Sequence, residues 1–215
     1  MNWNSDFAYA IGLLATDGNL SKDKRHIDFT SKDMDQILNF KRIMKPDVKV
    51  STKKSGKGTI YQRVQFSDVK LYKFLVSIGL NPNKSKTIER VLVPDRFFAD
   101  FLRGCFDGDG CSYSYWDRRW RSSFMLYVVF ASASRKFLKW MKDKLYELFK
   151  VTGTIKGRES ALQLVYAKFD SIKLAKTMYY SNSVICLKRK RFKFEQALDI
   201  INKQAGVEKL VYSLP

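Results

Sequence analysis

The stretch Leu102-Arg103-Gly104-Cys105-Phe106-Asp107-Gly108-Asp109-Gly110 decides the fold, because a looser copy of it stands earlier, at Ala10-Ile11-Gly12-Leu13-Leu14-Ala15-Thr16-Asp17-Gly18. Aligning Gly12 with Gly104, an offset of 92, also sets Asp17-Gly18 on Asp109-Gly110. Further along, Ile27-Asp28-Phe29-Thr30-Ser31 meets Val128-Val129-Phe130-Ala131-Ser132 at an offset of 101. Val69 and Leu71 meet Ile172 and Leu174 at 103, and Lys84-x-Lys86 meets Lys188-x-Lys190 at 104. The offset widens mainly once, where the second copy carries an insertion around Trp116-Asp117-Arg118-Arg119-Trp120-Arg121. Matches kept in order at a nearly constant offset mark a duplicated domain. The halves divide near residue 93, into 1–92 and 93–215.

Each copy reads helix, two strands, helix, two strands, helix, an α+β unit. In the first, Ser5–Ala15 is apolar and helical, and Asp17-Gly18 ends it. Strands follow near Asn19–Lys22 and His26–Thr30. The spacing of Met34, Ile37, Leu38, Lys41 and Met44 predicts a helix. Val48–Thr52 and Thr59–Phe66 alternate with period two around the turn-rich Lys53-Lys54-Ser55-Gly56-Lys57-Gly58. Asp68 caps a helix over Val69–Ile78. Gly79–Pro94 serves as linker. The second copy repeats the order: helix Asp95–Phe106, strands near Cys111–Tyr115 and Phe124–Ala131, helix Ser134–Phe149, strands Thr154–Arg158 and Ala161–Tyr166, helix Ser171–Tyr180. A last helix is expected over Arg191–Gln204.

Charge narrows the partner. Across 215 residues, 40 Lys and Arg face 21 Asp and Glu, a net charge of +19. Such an excess repels itself in the folded state, so an anionic partner is expected, nucleic acid before all others. The basic residues are spread along the chain instead of lining one amphipathic helix, which argues against a membrane surface. Apolar residues make up 45% of the chain, enough for a well-buried core. Three cysteines with no Cys-x-x-Cys pair speak against a disulfide framework or a zinc site, and for a reducing compartment. The first residues lack the basic and apolar regions of a secretory signal, and no apolar run spans a bilayer. An intracellular protein is expected, cytoplasmic, in the nucleoid or in an organelle.

The chemistry concentrates at the ends of the two motif helices. Gly12 with Thr16, and Gly104 with Gly108, are small residues four apart, the spacing that lets two helix backbones approach closely. If the helices pair, Asp17 and Asp109 emerge side by side at their C-terminal ends. A helix C-terminus carries negative partial charge, so two carboxylates there favour a bound cation. Two carboxylates facing a phosphate suit a hard divalent metal completed by water and phosphate oxygens.

These residues resemble the LAGLIDADG motif, 102–110 more closely than 10–18. The resemblance covers the whole chain, and both the motif separation and the repeated αββαββα unit match the single-chain, two-motif homing endonucleases. It implies paired motif helices at a pseudo-twofold interface and two antiparallel sheets forming a DNA-binding saddle. It implies catalytic Asp17 and Asp109 holding Mg²⁺, with Thr16 and Gly108 contributing beside them; Mn²⁺ would substitute, and Ca²⁺ would bind without supporting efficient cleavage. The implied activity is a double-strand break with short 3′ overhangs in double-stranded DNA by a monomer, promoting intron mobility, with no protein partner. A site of roughly 20 base pairs follows from two sheets each tracking about one helical turn. The family also sets a lysine near each scissile phosphate, and Lys84, Lys86, Lys188 and Lys190 are the candidates, one of each pair pointing inward. This sequence departs from the pattern at Ala15, where an earlier acid is common and where the second motif has Asp107. An RNA maturase, or a DNA-binding protein that does not cut, is the alternative. No flanking protein-splicing blocks are evident, so an intron-encoded or free-standing enzyme is expected rather than part of an intein.

Period-two reading separates the strand faces. Ile60, Val64 and Phe66 suit a helix-covered face, while Tyr61, Arg63 and Gln65 point away from it; Val48 and Val50 likewise oppose Lys49 and Ser51. Leu162, Leu164 and Tyr166 oppose Gln163, and Ile155 opposes Lys156 and Arg158. Arg pairs with guanine and Gln with adenine in the major groove, so the polar faces are read as the DNA contact. Asn19, Ser21, His26, Asp28, Lys53, Tyr113, Arg118 and Arg119 join them on neighbouring strands, turns and the insertion. Lys53, Lys54 and Lys57 are placed on the rim, against phosphates. His26, the only histidine, cannot build a histidine-based site.

Overall fold

The computed structural model describes residues 1–56, 58–120, 123–158 and 161–212, with residues 205–212 as backbone alone. Lys57 and Arg121 lie outside the described residues.

A helix that is apolar on every side has to be buried on every side. α1 (Ser5–Thr16) is such a helix: Asn4 caps it by accepting from Phe7 N at 2.7 Å, and every residue from Ala8 to Ala15 is buried. Its counterpart α4 (Phe98–Asp109) follows a 3-10 turn at Asp95–Phe97 and buries Phe98 and everything from Asp100 to Asp107. The two helices pack against each other at the centre of the molecule, with one copy of the fold on either side.

In the first copy, β1 (Gly18–Leu20), β2 (His26–Ser31), β3 (Ser51–Lys54) and β4 (Ile60–Ser67) form a sheet in the order β1-β2-β4-β3. In the second, β5 (Gly110–Trp116), β6 (Phe124–Ser132), β7 (Thr154–Arg158) and β8 (Ala161–Tyr166) form a sheet in the order β5-β6-β8-β7. All pairings are antiparallel, and Phe29↔Val64 matches Phe130↔Leu164 in register. One face of each sheet is covered by helices: α2 (Met34–Met44) and α3 (Val69–Ser77) in the first copy, α5 (Arg135–Phe149) and α6 (Lys168–Met178) in the second. Equivalent positions end α2 and α5 alike, with Lys45 and Lys150 in the left-handed region at φ 48° and 50°. The α+β duplication expected from the sequence is therefore present element by element.

Several boundaries differ for local reasons. β3 begins at Ser51 instead of Val48, because Val48 and Val50 pack against the core before the strand starts. α4 continues to Asp109 instead of stopping at Phe106, so the second acid is still helical. α6 starts at Lys168, ahead of Ser171. Its hydroxyl instead donates to Tyr166 O at 2.9 Å and accepts from Val128 N at 2.9 Å, tying the helix to β6 and β8. The last helix, α7, runs Lys188–Tyr212, longer at both ends than Arg191–Gln204. Ile60, expected under the helices, is 53% exposed at the outer end of β4. Nor is Gly79–Pro94 a loose linker, since Leu80, Ile88 and Val91 are buried in the core.

Candidate active site

The central helices approach closely because two glycines leave no side chain between them. A Cβ on Gly12 would lie 2.2 Å from Phe101 O, and one on Gly104 would lie 2.1 Å from Tyr9 O. Nearer the helix ends, a Cβ on Gly108 would lie 2.0 Å from Thr16 Oγ1 and 2.8 Å from Asp17 Oδ2. Asp17 is the C-cap of α1, and its amide donates to Leu13 O at 2.9 Å; Asp109 is the last residue of α4. The two carboxylates thus share one end of the helix pair, as the motif spacing implies.

Burial and the like charge of Asp109 push Asp17 up to about 6, against the opposing pull of Lys190 and Lys84. Burial raises Asp109 as well. Cys105 lies between the helices, buried, and its thiol is pushed well up by desolvation and by both acids, which leaves it a packing residue.

Of the four candidate lysines, the structure brings two to the acids. Lys84 is buried and its ammonium donates to Gly18 O, the residue after Asp17. Lys190 is buried, and its Nζ donates to Phe106 O at 2.7 Å, Asp107 O at 2.8 Å, Gly108 O at 3.1 Å and Gly110 O at 2.7 Å. Both are brought down to about 8 by desolvation, which the neighbouring carboxylates oppose, so both remain mainly ammonium at neutral pH. Lys86 and Lys188 are exposed. The inward member is thus the first of one pair and the second of the other, and the reason is local. Lys84 sits in the packed segment before Ile88, whereas Lys190 sits in the first turn of α7.

Polar groups that sequence reasoning left without a role hold Lys190 in place. Arg103, fully buried in α4, donates to Ile185 O at 2.8 Å, Met178 O at 2.9 Å and Asp100 Oδ1 at 2.8 Å. Asp107 accepts from Leu187 N at 2.7 Å and Tyr9 OH at 2.8 Å. Desolvation pushes Asp107 up to about 6, with those two donors pulling the other way. Together they fasten the segment leading into α7 against the second motif helix. The equivalent residues of the first motif, Ile11 and Ala15, are apolar core, so the two halves position their lysines by different means. A charged residue within a buried helix was the signal available in the sequence.

Outside the helix ends, the uncovered sheet faces carry the remaining candidates. Directly paired residues share a face. The register therefore groups Asn19, Asp28 and Gln65 in one row, Thr30, Arg63 and Ser51 in the next, and Lys53 with Tyr61 beyond. Lys49 is exposed just before β3. Arg63 is not free: its Nη2 meets Asp28 Oδ2 at 2.6 Å and its Nε donates to the same atom at 2.9 Å, while Thr30 Oγ1 donates to Asp28 Oδ1 at 3.1 Å. Asp28 is buried, so it positions the guanidinium and is not itself open to a ligand. His26 is engaged with Asp23, and Ser21 O accepts from Tyr72 OH at 2.7 Å. In the second half, Gln163 pairs with Lys156 and Ala131, and Arg158 with Ala161, on the open face beside exposed Tyr113. Arg118 is exposed in the insertion, and Arg119 is paired to Asp117 at 3.0 Å.

Among the described residues, no group of three or more His, Cys, Asp or Glu side chains is arranged to hold a metal ion. The oxygens on offer at the helix ends are those of Asp17 and Asp109, with nearby carbonyls; the Gly108 carbonyl is already an acceptor for Lys190. Two hard carboxylate donors, Asp109 held above its ordinary pKa by burial and Asp17 by burial and the like charge of Asp109, fit Mg²⁺ or Mn²⁺, ions that keep water and phosphate in most positions. They do not fit a closed four-ligand zinc site. Among the described residues no helix is long and apolar enough to cross a membrane.

No protein-family model matches the chain, and no curated protein does. Solved structures do. The full-length DUF199/WhiA protein from Thermatoga maritima matches over 95% of this chain at 14% identity and a TM-score of 0.60; the match spans 62% of that longer protein. The homing endonuclease I-WcaI, bound to its DNA recognition sequence, matches over 89% of this chain and 88% of its own, at 16% identity and a TM-score of 0.62. I-DmoI, in complex with DNA and Mn, matches over 83% of this chain and 98% of its own, at 18% identity and a TM-score of 0.54. With its two motif helices paired through glycine and a four-stranded antiparallel sheet on either side, this chain has the LAGLIDADG fold that the single-chain homing endonucleases share.

Proposed function

We propose that this chain is a site-specific DNA endonuclease, which binds a double-stranded site of roughly 20 base pairs along its two open sheet faces and cuts both strands at the paired helix ends. The observation that carries this reading is the meeting of Asp17 and Asp109 between two buried ammonium groups, Lys84 and Lys190. Carboxylates alone would repel a phosphate; with a lysine on either side the site has a place for one. In this reading, Asp17 and Asp109 hold a divalent cation against the duplex, and Thr16 and Gly108 shape the floor beside it. A bound Mg²⁺ or Mn²⁺ supplies Lewis acidity at the phosphate and lowers the pKa of a water. Lys84 and Lys190 stabilise the charge that builds on the phosphate, one on each strand, each fixed in place by backbone carbonyls. Cleavage leaves short 3′ overhangs and serves intron mobility.

Recognition is shared between faces and rim. Arg63, steered by Asp28, together with Asn19, Gln65, Tyr61 and Gln163, reads base edges, while Lys49, Ser51, Lys53, Lys54, Lys156, Arg158 and Arg118 contact phosphates. Phosphate contacts position the protein without carrying sequence, so the two groups separate experimentally. Selection from a randomised duplex library in Ca²⁺ should yield one consensus. Affinity for that consensus should fall by roughly a thousandfold or more between 50 and 200 mM salt, as the release of counterions from six or more phosphates requires. No consensus, with affinity flat in salt, would overturn the DNA reading.

The lysine assignment has its own test. Lys190→Met and Lys84→Met should each slow cleavage by roughly a hundredfold while leaving binding in Ca²⁺ within a few fold. Lys188→Met and Lys86→Met should cut at the wild-type rate. Equal losses in all four variants would show that the lysines act only by general attraction.

DUF199/WhiA, which shares the fold and is not described as an endonuclease, favours a second reading, a DNA-binding protein that does not cut. The two carboxylates side by side, a destabilising arrangement without a cation, speak for cleavage.

A further inference from the structure

The two sheets agree in topology and differ in what their open faces carry. In the first copy, the row nearest the paired acids is Asn19, Asp28 and Gln65, with Asn19 and Gln65 exposed and Asp28 buried against Arg63. Its counterpart in the second copy is Cys111, Val129 and Val165, in the same register. Farther out, where the first copy has His26 beside Ser21, whose amide donates to His26 O at 3.0 Å, the second has Tyr127 opposite Tyr113. Tyr113 and Tyr115 are about half exposed, at 48% and 46%. The rings of Tyr113 and Tyr127 stack at 5.0 Å, and those of Tyr115 and Tyr127 at 6.0 Å.

Around Cys111, Val129 and Val165, apart from the Gln163–Lys156 row farther along, the face does not suit a G·C edge, whose major-groove groups are all donors and acceptors that lose water on contact and there regain no partner. The one apolar group that a base pair presents there is the 5-methyl of thymine. We propose that this part of the second sheet recognises thymine: the base pairs under Cys111, Val165 and the Tyr113–Tyr115–Tyr127 ladder make that half-site A·T-rich and are read by contact with thymine methyls, while Gln163 farther along and the half-site under β1–β4 read by hydrogen bonds. This rests on the DNA reading proposed above.

The test uses two randomised duplex libraries that differ only in carrying thymidine or deoxyuridine, which removes the methyl and leaves every hydrogen-bonding group. The full chain selects from each in Ca²⁺. With thymidine, one half-site should come out A·T-rich and the other mixed. With deoxyuridine, the mixed half should be unchanged, while the A·T preference of the first should fall by about fourfold for each methyl lost. Tyr127→Ser, made in the thymidine library, should remove the same preference from the same half, and Arg63→Ala should alter only the other. Identical consensus sequences from the two libraries would overturn the proposal, as would an effect of Tyr127→Ser on the mixed half. If neither library gave any consensus, the DNA reading itself would fail, and this inference with it.

Discussion

Gly104→Ala should cost the protein about 3 kcal/mol or more, at or beyond the upper end of ordinary overpacking. The added methyl would lie 2.1 Å from Tyr9 O and 2.9 Å from the Cα of Gly12, both backbone atoms of the other central helix. No rotamer change relieves such a contact; the helices have to separate. Because both are buried along almost their whole length, separation opens the core on either side. Gly12→Ala should do the same through Phe101 O at 2.2 Å. Gly56, where a Cβ meets nothing within 4 Å, supplies the control, and its alanine variant should match the wild type. For a chain of this size the loss corresponds to roughly 6–12 °C in melting temperature, and denaturant midpoints check it. A Gly104→Ala protein as stable as the Gly56→Ala one would mean that the helices are not in contact at these residues.

Asp17→Asn should have two opposite effects. Cleavage should fall below detection, because one of two carboxylates for the cation is gone. Stability of the metal-free chain at pH 7 should rise, by about 1–2 kcal/mol. The sign follows from the direction of the shift. An acid raised in the folded state, here to about 6 from near 4, favours folding while it is neutral. That contribution is complete below about pH 4 and is lost as the pH climbs through 6. Asparagine stays neutral throughout, so the variant should gain at pH 7 and be indistinguishable from the wild type at pH 4. Thermal melts at the two pH values, with EDTA present, give the comparison. An Asp17→Asn protein that is less stable than wild type at pH 7 would show that the carboxylate is held by favourable contacts and not strained against Asp109.

The duplication, the paired helices and the acids were legible because each leaves a mark in the sequence alone. Small residues four apart, Asp-Gly at matched positions and period-two strands survive in both copies. What could not be read depends on which groups meet across distant segments. Lys84 and Lys86 are alike in sequence, and only the packing of Leu80, Ile88 and Val91 turns the first one inward. Asp28 and Arg63 stand 35 residues apart, and nothing local marks them as a pair, so both were placed as independent DNA contacts. Ser171, expected at a helix start, links β6 and β8 instead, through Tyr166 O and the amide of Val128, 43 residues away. The role of Arg103 has the same character: two of its three acceptors, Met178 O and Ile185 O, lie 75 and 82 residues away.

The central claim, that the paired acids cut DNA at a recognised site, is tested most directly by cleavage of a randomised duplex library by the full chain in Mg²⁺, with the new ends sequenced. The account predicts breaks in both strands at one shared sequence of roughly 20 base pairs, with short 3′ overhangs, and none with Asp17→Asn or Asp109→Asn. Selective retention of one sequence by the wild-type chain, with both strands intact in Mg²⁺ and in Mn²⁺, would contradict it and leave a protein that reads DNA without cutting it.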